Sequence, residues 1–335
     1  MRSTKRLSGL IFFLFCGLSP SGWATDGLVV YSGRNDKFVD PVMAEFTKQT
    51  GIKVQIHNSK ASSLINRMKL EGSKTKADLF LSNDAGTLQI GSDMGLFLSL
   101  KDSLVHAIEP RYRGDENRWV GLSARARVLV YNKAFINELR YIKSVFDLAD
   151  PRLLGKVAIT DSANGSFIDG ITVYMKVVGP EKTLAFLKGL KSNTAGKVYS
   201  KHGKIVEEVA AGKKIIGLVN HYYIYRYLEK HPTAPIEILI PDQGDQGMGV
   251  AWNVTGIAVS KHTKKLKEAE KLVEFLVSEK GQALFSAGNQ EYPVRQGVSP
   301  PKGMPANYKV AKMPMIELGK SRNKTLDLIE KIGLY

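Results

Sequence analysis

The chain is expected to fold as an α/β protein of about two domains. Short apolar runs of β-forming residues alternate with amphipathic helical stretches, and polar loops sit at the joins. The 335 residues, roughly 310 once an N-terminal leader is set aside, give room for about two hydrophobic cores.

Leu28 to Tyr31 reads as the first strand, Ser32 to Asp36 as a loop and Phe38 to Thr50 as an amphipathic helix, closed by Gly51 where a left-handed backbone is needed. Ile52 to Ile56 alternates as a strand, which makes this stretch one βαβ unit. Leu64 to Leu70 as helix and Ala77 to Leu81 as strand repeat the pattern and lead to a second polar loop, Ser82 to Gly86. In a parallel sheet both loops lie on one rim, which brings Asn35, Asp36, Asn83 and Asp84 towards one crevice. Ordinary turn chemistry uses the same residue types.

Gly121 to Ala134, just after Trp119, holds a strand with Arg125 and Arg127 on one side of its alternation, leading out of the first domain. After a strand at Val157 to Ile159, the turn Asp161 to Ser166 enters a helix over Phe167 to Val177. A polar, glycine-containing turn at a helix start offers backbone N–H groups to an anion. Pro180 to Leu190 and His202 to Ala211 are amphipathic helices, the first opened by its proline.

Ile215 to Val219 is an apolar strand that passes at Asn220, the expected N-cap, into a helix reaching Lys230. Tyr222 and Tyr223 then fall in the first helical turn at the carboxyl end of a strand, where open α/β sheets bind their ligands. The helix dipole favours phenolate there. Tyrosine ionises near pH ~10, so a pair of phenolates calls for a strong cause, and a hard trivalent cation would supply it. Packing is the competing explanation. At 100° per residue no single helical stripe holds Tyr222, Tyr223, Tyr225 and Tyr227.

Asp242 to Gly249 is a glycine-rich loop, and Val250 to Val259 a strand returning towards the first domain. Lys265 to Phe285 reads as one long helix with Leu266, Ala269, Leu272, Val273, Leu276 and Leu284 at core spacing, weakened at Gly281. Glu291 to Val294 is extended, Pro293 to Pro305 a linker, and Leu318 to Ile332 a closing helix.

Met1 to Ala24 is a secretory signal: Arg2, Lys5 and Arg6 precede an apolar stretch from Leu7 to Leu18, and Pro20, Gly22 and Ala24 suit cleavage. The apolar stretch is too short to anchor a membrane. Phe15 before Cys16 does not suit a lipoprotein. Cys16 is the one cysteine, so the mature chain has no disulfide and no thiolate ligand. The net charge of +16 becomes +13 when Arg2, Lys5 and Arg6 leave with the leader. That balance favours anionic partners, but it is spread along the chain and does not mark a nucleic-acid surface.

The succession LVVYSGRN, FTKQTGIKV, KADLFLSND, GLSARARVLVYN, VNHYY and EYPV resembles the periplasmic ferric-iron-binding proteins, the substrate-binding components of bacterial iron(III) ABC importers, across essentially the whole mature chain. The resemblance implies a two-lobed periplasmic binding protein fold with crossing hinge strands and a cleft between the lobes. The lobes would comprise residues 25–126 with 253–303 and residues 127–252 with 304–335. It implies ferric iron held by Tyr222 and Tyr223, and a phosphate or carbonate at Asn164, Gly165 and Ser166 assisted by Asn220 and His202. It also implies a periplasmic monomer that docks on an inner-membrane ABC permease.

The first-lobe loops depart from the pattern. Asn35 stands where well-known members carry histidine, Asn83 with Asp84 beside it where they carry glutamate, and Phe167 where others have a third tyrosine. Neutral amides are poor ligands for a hard ion. Either Asp36 or Asp84 reaches the metal, or anions and water fill the open positions, or iron is no longer the ligand. Arg125 is a further candidate at the cleft. A carrier of a small anion, such as a phosphorylated organic compound, is the alternative within the binding class. An exported enzyme is disfavoured, because no Ser/His/Asp order, HExxH or close carboxylate pair stands out. His57, His106, His202, His221, His231 and His262 are scattered and read as surface or satisfied core residues.

Overall fold

Residues 27–334 are described by the structure, a computed structural model, so the expected leader lies outside the described residues. The βαβ expectation is met. β1 (Leu28–Ser32) pairs in parallel with β2 (Val54–Asn58) and with β3 (Leu79–Ser82), and the helix Asp40–Thr50 packs Val42, Met43 and Phe46 into the core. Gly51 ends that helix at φ 72°, its N–H bonded to the Thr47 carbonyl. β3 is buried throughout, as expected of a strand covered on both faces.

β4 (Val120–Asn132) is buried along all 13 residues and joins the two halves of the sheet. Beyond it lie β5 (Val157–Ala158), β6 (Ile216–Asn220) and β7 (Ile236–Leu239). Towards the first unit lie β8 (Trp252–Val259) and the short β9 (Tyr292–Pro293). The strand order is β2-β1-β3-β8-β4-β6-β5, with β7 and β9 also on β4. β4 changes partner midway: Val120 to Ala126 pair with β8, and Arg127 to Tyr131 pair with β6. A chain that crosses here and returns through β8 leaves two crossing strands between two αβ units. Among the described residues no helix is long and apolar enough to cross a membrane.

The long helix expected over Lys265 to Phe285 is two helices, Leu266–Val277 and Glu279–Asn289. Ser278 breaks it at ψ 163° and caps the second helix by accepting from the Gly281 N–H. Gly281 is required at this break, because a Cβ there would lie 2.0 Å from the Phe275 carbonyl oxygen. The break resets the helical phase, and Leu284 is exposed, as is Leu266 at the first helix's start, although both stood at core spacing. The closing helix is also divided, into Glu317–Lys320 and Arg322–Glu330. The first piece packs on the helix Ala85–Asp93 and the second on Gly165–Val178, so the tail touches both halves of the molecule.

Candidate metal and anion site

β6 ends at Asn220 and the helix His221–Lys230 begins, as expected. His221 is fully buried and locks this junction. Its Nδ1 accepts the Ala126 N–H of β4 at 3.1 Å, and its Nε2 donates to the Gln290 carbonyl at 2.8 Å. Burial pushes its pKa down to about 4, so the ring stays neutral and makes both bonds.

Asn220 occupies the cap position without capping. Its side chain accepts from Arg127 Nη1 at 3.2 Å and donates to Ser166 Oγ at 3.2 Å and to the Tyr222 hydroxyl at 3.3 Å. The residue at the cap position thus links the tyrosines to the turn expected to hold an anion. Tyr222 and Tyr223 stand side by side, ring centroids 4.5 Å apart. Burial and the neighbouring Tyr222 push the Tyr223 hydroxyl up, while Arg226 and Arg125 pull it down. The Arg226 guanidinium lies 4.7 Å from the Tyr222 ring and 4.7 Å from the Phe38 ring, and donates to the Asn289 carbonyl at 2.8 Å. It ties the tyrosine helix to the opposite wall.

The pair forms a shared wall of two adjoining cavities of about 440 and about 200 Å³, which also share Gly33, Asn83 and Arg125. Asn164, Gly165, Ser166 and His202 line the larger one, and Asn35 lines the smaller. Asn164 caps the helix Gly165–Val178 by accepting from the Ser166 N–H at 3.0 Å. A 14-residue helix presents its positive end here. His202 is buried beside Tyr223, ring centroids 5.0 Å apart; burial, then Arg127 and Arg125, hold it well below its ordinary pKa. Arg127 is buried, and its Nε and Nη2 have no hydrogen-bond partner among the described residues.

The residues of the two first-lobe loops differ in use. Asn83 lines both cavities, and its carbonyl accepts from Arg125 Nη2. Asp84 lines the larger cavity, but its carboxylate accepts the Gly86 and Thr87 N–H groups at 2.9 and 3.0 Å and the Thr87 hydroxyl at 2.7 Å, capping the helix Ala85–Asp93. Asp36 is exposed in a helical turn whose cap is Asn35, and it lines neither cavity. Arg34 holds this loop from beneath, paired with Glu291 at 2.7 Å.

Several cleft residues escaped the sequence reading: Lys60, Asp169 and Arg322 line the larger cavity, Arg226 and Glu291 the smaller. An acid among apolar neighbours in Ser166 to Tyr174 was a signal for Asp169; the others carry none. Among the described residues no group of three or more His, Cys, Asp or Glu side chains could hold a metal. The paired phenols are the hard donors on this wall.

Residues 42–312 match the family model described as bacterial extracellular solute-binding protein. The iron uptake protein A1 of Synechocystis sp. is 32% identical over 331 residues, covering 95% of this chain and 88% of the relative. The Fe(3+)-binding periplasmic protein of Serratia marcescens is 29% identical over 314 residues, covering 93% and 91%. The Trichodesmium protein solved in complex with iron and citrate superposes with a TM-score of 0.85 at 30% identity, covering 92% of this chain and 100% of that one. The fold is therefore that of the two-lobed periplasmic binding proteins.

Proposed function

The chain belongs to the bacterial extracellular solute-binding protein family, and on that premise we propose that it is an exported, non-catalytic carrier of ferric iron. Tyr222 and Tyr223 capture the ion in the cleft, and the closed protein delivers it to an inner-membrane ABC permease. The observation that carries this reading is the pairing of two phenols, ring centroids 4.5 Å apart, on the wall shared by both cleft cavities. Ferric iron displaces both phenolic protons. Two phenolates cancel two of its three charges, and an anion such as phosphate or carbonate at Asn164, Gly165 and Ser166 cancels the third. Buried Arg127, bonded through Nη1 to Asn220 and with Nε and Nη2 unpartnered among the described residues, supports that anion.

With Asp84 engaged in capping, Asp36 outside the cavities and Glu291 paired with Arg34, the first lobe offers the ion the neutral amides of Asn35 and Asn83, with the cationic Arg125 beside them. Water and the anion fill the remaining positions. The lobes divide as residues 25–126 with 253–303 and residues 127–252 with 304–335, a division supported by the partner change of β4 after Ala126. Ion binding on one lobe favours closure by the contacts the other adds. The protein works in the periplasm, an assignment supported by its N-terminal leader pattern and its periplasmic relative, and it works there as a monomer.

Metal analysis of protein purified from its native compartment tests the reading. Near-stoichiometric iron is expected; absence of iron, together with no visible band on adding ferric citrate, would end it. A small anion as sole cargo is the second reading, favoured by Lys60, Arg125 and Arg322 around the larger cavity. Its complex would be colourless.

A further inference from the structure

Behind the floor of the cleft lies another cavity, of about 190 Å³, which shares no lining residue with the two cleft cavities. Trp252, at the start of the hinge strand β8, separates them: it lines this cavity and also the small chamber under the cleft bounded by Arg127 and Asn220. The walls come from both sides of the crossing strands. Tyr292 and Pro293 pair with β4 at Ala124 and Ser123, whereas Tyr308 and Val310 belong to the segment that pairs with Val250.

Four aromatic rings meet here. Trp252 stacks on Tyr112 at 6.3 Å and lies 5.4 Å from Tyr292 and 5.6 Å from Tyr308, which is itself 5.0 Å from Tyr292. A cavity of about 150 Å³ lined by apolar groups is enough for benzene. The wall here also carries donors. Trp252 is 8% exposed, and its Nε1 has no hydrogen-bond partner among the described residues; neither has Arg295 Nε. Glu109 is neutralised by Arg111 at 2.9 Å, while Arg295 donates through Nη1 to the Val277 carbonyl at 3.0 Å and, among the described residues, pairs with a carboxylate only at 4.0 Å, on Glu279. One cationic charge is therefore loosely matched beside an aromatic box.

We propose that this cavity is a second small-molecule site, at the hinge, for a small aromatic carboxylate whose ring lies among Tyr112, Trp252, Tyr292 and Tyr308 and whose carboxylate meets Arg295. The aromatic walls supply area and edge-to-face contact, and the guanidinium supplies a charge-assisted hydrogen bond. The proposal is independent of what the cleft carries.

Benzoate is the probe, titrated calorimetrically into the whole mature protein, with benzamide as the neutral isostere. Saturable binding of benzoate at millimolar concentration is expected, about tenfold weaker for benzamide and for Arg295→Gln, and unchanged in Tyr222→Phe. No saturable binding, equal binding of benzamide, or binding lost in Tyr222→Phe and kept in Arg295→Gln would overturn it, the last because benzoate would then occupy the cleft. Should Arg295→Gln fail to fold, magnetisation transfer from benzoate ring protons to the Trp252 indole decides the matter in the parent protein. Its absence with benzoate bound would refute the site.

Discussion

Asp84 and Asp169, on opposite sides of the cleft, are bridged by one side-chain amide: Asn253 Nδ2 donates to Asp169 Oδ2 at 2.6 Å and to Asp84 Oδ1 at 3.2 Å. Asn253 stands on β8, so the hinge strand itself holds the two acids together.

The bridge has a pH signature. Burial, then the charge of Asp84, push the Asp169 carboxyl up to about 8, against the opposing pull of Arg322, Arg125 and the Asn253 bond. Its folded pKa lies above the unfolded value, so the folded state holds a proton that the unfolded chain has lost. Stability from this group therefore falls as pH rises from about 4 to about 8, by at most about 1.4 kcal/mol per pH unit. Asp169→Asn should flatten that slope and be the more stable protein at about pH 8. Urea unfolding across this range checks it; an unchanged slope would remove Asp169 as the cause.

The first-lobe loops make a second test. Asn83 lines both cavities and Asn35 one, so Asn35→His with Asn83→Glu places two better donors opposite the tyrosines. Donors that bond only in the closed form strengthen closure too, and the double variant should retain iron against citrate longer than the parent. Asp84→Ala should instead cost about 1 kcal/mol of stability through its lost cap, and Asp36→Ala should change neither property. Loss of iron retention in Asp36→Ala would show that this exposed acid reaches the metal.

The break at Ser278 gives a matched pair of glycine substitutions. Gly281→Ala forces a Cβ against the Phe275 carbonyl and should destabilise by about 1–3 kcal/mol. Gly288 lies in the same helix with nothing within 4 Å of its added Cβ, and Gly288→Ala should stabilise by about 0.5 kcal/mol. Thermal unfolding of the two variants reads both signs.

The elements around the site were legible because strand, polar loop and helix follow one another with clear periodicity, as at Ile216–Asn220 and His221–Lys230. Asn220 was legible as a boundary but not as a bridge, since its amide serves Arg127 and Ser166, which are distant in sequence. Ser278 carries no breaker signal in the sequence, because the apolar spacing continues through it. Arg226, Glu291 and Arg322 reach the cleft or its pocket through tertiary contacts alone, and no local pattern marks them. Asp84 looked like a metal donor from its loop, yet the capping geometry uses its oxygens.

Titrating ferric citrate into the parent, Tyr222→Phe and Tyr223→Phe and recording visible absorption shows whether the Tyr222–Tyr223 pair is the ferric site. Each substitution removes one hydroxyl and keeps the ring, so melting temperatures should stay near the parent's. A phenolate-to-iron charge-transfer band should saturate in the parent and be abolished or strongly weakened in each variant. A band of parental intensity and midpoint in both variants would contradict it and leave the two rings as packing alone.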